Sequence, residues 1–134
     1  MKKMMIMTLI FSVVILGVAF ASASANEDVS KLLRSFEKLF NNLKNFEREL
    51  KSEADVKSLA KEFEETYRLV IDTGDKVYGS SYRIMFSKEI KQMEKDAKSI
   101  RFKLLQGESK QEISSAIVRI RETVVYSINC LMNC

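Results

Sequence analysis

Apolar residues in this chain recur at alternating steps of three and four. Val29, Leu32, Phe36, Leu39, Leu43, Phe46 and Leu50 form the first run, and Leu33 and Phe40 widen it. This is the period of a helix with one face turned to a core. Charged residues between Lys31 and Glu49 fill the other face, as on a solvated surface. Val56, Leu59, Ala60, Phe63, Tyr67, Val70 and Val77 form a second run. Phe86, Ile90, Met93, Ala97, Ile100 and Leu104 predict a third helix, from about Tyr82 to Gln106. Ile113, Ile117, Ile120, Val124, Ile128 and Leu131 make a fourth. Val118, Val125 and Tyr126 give its second half a wider apolar arc, which predicts deep burial there or a patch for a partner.

The ends of these helices are marked. Asn26, Asp28 and Ser30 are candidate caps for the first, and Ser52, with Asp55 three residues on, for the second. Gly74 costs about 1 kcal/mol against Ala inside a helix, so the second helix either stops near it or frays on to Tyr78. Gly79-Ser80-Ser81 is a connection. The hinge from Leu104 to Ile113 carries Gly107, suited to a left-handed C-terminus, and Ser109 with Glu112, the spacing of a capping box. Connections this short predict an all-α, antiparallel up-down-up-down four-helix bundle. The four segments do not repeat one sequence, so a solenoid is not indicated.

The N-terminus follows another logic. Lys2 and Lys3 precede an apolar run from Met4 to Phe20, and Ala21-Ser22-Ala23-Ser24-Ala25 follows. This is the layout of a secretory signal peptide. Cleavage after Ala25 is expected, and Ala23 also fits. Residues 1–25 are thus read as signal and residues 26–134 as one bundle domain, periplasmic or secreted. No Cys follows the run, so a bacterial lipoprotein anchor is not indicated, nor is membrane association after signal removal. Without Lys2 and Lys3, 20 basic side chains face 18 acidic ones. So balanced a charge is no footprint for nucleic acid.

The chain has no Pro and no His. Lacking His, it cannot build Ser-His-Asp or Cys-His catalysis or His-containing zinc sites, and a non-enzymatic protein is expected. Its reactive atoms concentrate in Cys130-Leu131-Met132-Asn133-Cys134. An oxidising compartment favours a Cys130–Cys134 disulfide, although the last helical turn must unwind to bring the sulfurs together. A bridge between chains, hence a homodimer, is a second reading. A soft-metal site of Cys130, Met132 and Cys134 suited to Cu(I) is a third. Tyr67, Tyr78, Tyr82 and Tyr126 are candidates to line one end of the bundle, or pack with their hydroxyls in solvent. The acids Glu64-Glu65 and Asp72-Asp75 lie among Lys and Arg, with no mark of an acid–base role.

The pattern Phe86…Ala97…Leu104-Leu105-Gln106-Gly107-Glu108-Ser109-Lys110-Gln111-Glu112 is similar to the third helix, Gly-containing turn and fourth-helix start of the cytochrome b562 family. Val29 to Leu43 matches more loosely. The resemblance implies an exported antiparallel bundle. It also implies haem iron held between a Met early in helix one and a His late in helix four. Those positions fall near Leu33 and Ile128, which cannot ligate iron and suit a cofactor-free core. Met85, Met93, Met132 and Cys130 are the substitute ligands that a haem-binding electron carrier would need. The leading expectation is a protein that binds an unknown protein partner or a small ligand, with no cofactor. Haem binding and thiol-based metal binding are the alternatives.

Overall fold

The computed structural model describes residues 27–107 and 109–133. The expected signal peptide with its cleavage site, the cap candidate Asn26, Glu108 of the hinge and Cys134 lie outside the described residues. Four helices account for nearly all of the rest: α1 (Glu27–Lys51), α2 (Val56–Tyr78), α3 (Arg83–Leu105) and α4 (Lys110–Met132). No strand occurs among the described residues. Each helix packs against two others, α1 on α2, α2 on α3, α3 on α4 and α4 on α1, the closed ring of a helix bundle.

The three-and-four pattern becomes the core. Val29, Leu32, Leu33, Phe36, Leu39, Phe40, Leu43, Phe46 and Leu50 of α1 are all buried, and all four helices join one hydrophobic cluster. Phe36 meets Phe86 edge-on at 6.2 Å between ring centres, and Phe46 meets Phe63 at 5.2 Å. Such pairs add to the stabilisation from burial alone.

Polar contacts between helices follow a consistent order. Ser81, just past α2, donates to Asp28 at the start of α1. Further along, Thr66 of α2 donates to Asn42 of α1. Arg101 of α3 pairs with Glu64 of α2 at 2.9 Å, and Tyr78 donates to Glu94 at 3.3 Å. Asp96 and Lys103 of α3 pair with Arg119 and Glu112 of α4.

Three expected boundaries are corrected or resolved. Asp55, not Ser52, caps α2: its carboxylate accepts from the Ser58 amide at 2.7 Å. The Ser52 hydroxyl turns back to donate to the Glu49 carbonyl. Ser109 caps α4 by accepting from Gln111 N–H at 3.2 Å. Glu112 reaches Lys103 instead, so the reciprocal bond of a capping box is replaced by an interhelical pair. Finally, α2 runs through Gly74 to Tyr78. A Cβ on Gly74 would sit 3.2 Å from both Ile90 and Glu94. The residue lets α3 approach closely, and that packing offsets its low helix propensity. Gly107 has the expected left-handed backbone, with φ of 72°.

Candidate functional site

The positions matching the family's haem ligands are closed. Leu33 is 1% exposed and Ile128 3%, both within the apolar cluster. Met93 is core as well, Met85 is half-exposed and Met132 is partly buried against the core. The apolar second half of α4 is mostly absorbed by packing: Val124, Ile128 and Leu131 are buried, and Val125, Cys130 and Met132 partly so. Tyr126 is its large exposed side chain, at 54%.

Cys130 is half-buried, and the Tyr126 hydroxyl shares a hydrogen bond with its sulfur. That bond, then the electrostatic influence of Cys130 and Glu89, raises the Tyr126 hydroxyl above its usual range. The proposed partner of Cys130 in a disulfide, Cys134, is outside the described residues. Among the described residues no cluster of three or more Cys, Asp or Glu is placed to hold a metal.

Tyr78, Tyr82 and Tyr126 lie toward one end of the bundle, and Tyr67 does not join them. Tyr67 lies midway along α2, with the Arg101 guanidinium 4.8 Å over its ring. Tyr78 and Tyr82 flank the α2–α3 connection. Burial, then the Glu94 charge and hydrogen bond, raise the Tyr78 hydroxyl above its ordinary range. Three of the four paired acids of α2 are surface ion-pair partners. Glu64 meets Arg101, Glu65 meets Arg68 and Asp72 meets Lys76. Surface pairs of this kind contribute little to stability.

The polar residues that do converge lie between α3 and α4. Glu89, Gln92 and Asp96 face Arg119, Glu122, Thr123 and Tyr126 across an open groove of about 420 Å³. Asp96 is 7% exposed, and its carboxylate accepts from Gln92 at 3.3 Å and Arg119 at 3.5 Å. One oxygen of Glu89, Oε2, is buried without a hydrogen-bond partner. A buried carboxylate oxygen lacking a donor is unfavourable, and its residue is one that lines the groove. Three acids against one arginine make the site suited to a cation. The sequence does carry a signal for it. Glu89, Gln92 and Asp96 step by three and four beside the core stripe, as do Arg119, Thr123 and Tyr126. The charge on these residues makes them read as ordinary solvated surface.

No protein-family model, curated protein or solved structure matches this chain.

Proposed function

We propose that this is an exported, non-enzymatic helical bundle that acts by binding, built up-down-up-down like the cytochrome b562 family but with an apolar core in place of its haem site. The order of the polar contacts supports antiparallel neighbours. As partner positions move forward along α1, they move back along α2, and the same holds for α3 against α4. The closed surroundings of Leu33 and Ile128 support a bundle without haem. The signal-like residues 1–25 support export to the periplasm or beyond.

Binding is carried by one observation: Glu89, which lines the α3–α4 groove, keeps a buried oxygen without a hydrogen-bond partner. A small organic cation with N–H donors would pair with the Glu89 carboxylate, which turns to offer that oxygen, and be held by Glu122 as well. Tyr126 supplies an aromatic wall, which also favours a cation. The test is calorimetric titration with spermidine, beside glutarate as an anion of comparable reach. Saturable binding of spermidine alone is expected, weakened about tenfold or more by Glu89→Gln, as for loss of a charged hydrogen bond. Equal heats from the two ligands, or no change in Glu89→Gln, would overturn the reading.

A further inference from the structure

Helix α3 carries a second stripe that the core does not use. Ile84, Lys88, Lys91, Lys95, Lys98, Phe102 and Leu105 recur at steps of four and three. Ile84 and Phe102 are 18 residues apart, five full turns at 3.6 residues per turn, so the row runs straight along the helix. It lies opposite the buried row of Phe86, Ile90, Met93, Ala97, Ile100 and Leu104. Every member is exposed. Ile84 is 86% exposed, Leu105 71% and Phe102 62%. With a rise of about 1.5 Å per residue the stripe is about 30 Å long.

The charge of the chain is concentrated here. Helix α3 has seven basic side chains against three acidic ones, whereas α1, α2 and α4 together have thirteen against twelve. None of the three acids of α3 faces the stripe's solvent. Glu94 accepts from Tyr78 of α2, Asp96 pairs with Arg119 of α4, and Glu89 lines the α3–α4 groove. Lys88, Lys91, Lys95 and Lys98 form no ion pair among the described residues, while Lys103 and Arg101 on the flanks of the same helix do.

We propose that this face of α3 lies on an anionic lipid bilayer, independently of what the α3–α4 groove binds. Four lysines in a row would meet lipid phosphates, each favourable by an amount that adds along the row. Ile84 at one end and Phe102 and Leu105 at the other enter the boundary between headgroups and acyl chains, and the lysine stems lie flat between them. The charge favours an anionic partner, and the exposed apolar ends favour one with an apolar layer beneath its charge. A bilayer supplies both over a flat surface of this length, whereas nucleic acid phosphates give Ile84 and Leu105 nothing to bury against. No described helix is long and apolar enough to cross a membrane, so the contact proposed is peripheral.

The test is cosedimentation of the protein recovered after export with vesicles of phosphatidylcholine, with and without phosphatidylglycerol. The protein should favour the anionic vesicles, and salt should weaken it. Lys91→Gln with Lys95→Gln should reduce binding about thirtyfold. Ile84→Ser with Phe102→Ser should also reduce it, with unchanged helical circular dichroism. Lys31→Gln with Lys38→Gln, on the exposed face of α1, should leave binding within about twofold if location and not net charge decides. Three results would each overturn the proposal: no preference for anionic vesicles, equal losses in the α1 and α3 pairs, or binding to soluble polyglutamate without binding to vesicles. The last would assign the face to an acidic protein.

Discussion

Helices α1 and α3 are of similar length, 25 and 23 residues, and each buries a stripe of the same period. Their outer faces differ. On α1 the exposed side is polar and of mixed sign, with six basic and five acidic side chains over the helix. On α3 the outer face pairs lysines with exposed Ile84, Phe102 and Leu105. The contrast separates two demands on one helix. A core asks only for one apolar stripe. A second stripe opposite the first contributes nothing to that core, and its cost in exposed apolar area points to a partner outside the bundle.

The largest effects should be the same on both helices, because both inner faces meet one core. Phe36→Ala in α1 should cost about 3–5 kcal/mol and Ile90→Ala in α3 about 2–5 kcal/mol, measured by urea unfolding. The outer faces should not follow. Ile84→Ser should change stability by no more than about 0.5 kcal/mol in dilute solution. A loss for Ile84→Ser as large as that for Ile90→Ala would mean that the stripe is already buried, in a homodimer of this chain. Next in size is the close approach of α2 to α3. A Cβ at position 74 would already stand 3.2 Å from Ile90 and Glu94. Gly74→Val adds branched carbons beyond that point, and should cost about 1–3 kcal/mol through overpacking.

The smallest effect belongs to the turn out of α1. Bonds from Ser58, first its backbone N–H, hold the Asp55 carboxyl below its usual range. A lowered folded-state value means the cap stabilises above the ordinary pKa of 3.8 and loses that effect as pH falls through the folded value. Unfolding midpoints of the wild type and Asp55→Ala should therefore differ near neutrality and converge in acid. A difference that persists at low pH would mean that the side chain acts by packing instead. Helix α3 offers the counterpart, since its N-cap residue Tyr82 makes no side-chain capping bond.

Much of the fold is legible in the order of residues. The three-and-four spacing locates four helices and nearly all of their buried positions, and Gly107 marks the turn between α3 and α4. Gly74 is not legible in the same way. Propensity counts the entropy a glycine loses but not the neighbouring helix that its missing Cβ admits. Ser52 looks like the cap of α2, and only the path of the turn makes Asp55 the residue that faces its free amides. The candidate groove escapes a reading of the sequence, because charged residues beside a core stripe look like solvated surface until two helices bring them face to face.

The sequence by itself determined the helical class and the inner face of each helix, because burying apolar side chains at a fixed period admits one solution per segment. It also determined that catalysis cannot rest on histidine. Tertiary structure alone decided which charges meet. Asp96 found Arg119 and Glu47 found Arg121, while Glu89 and Glu47 were each left with one buried oxygen unpartnered. It also decided that most of the apolar arc of α4 is spent on the core and that Ile84, Phe102 and Leu105 of α3 are not. The physical reason is that a bundle of four helices covers only one side of each, and neighbour packing, not the period, sets which side chains remain outside.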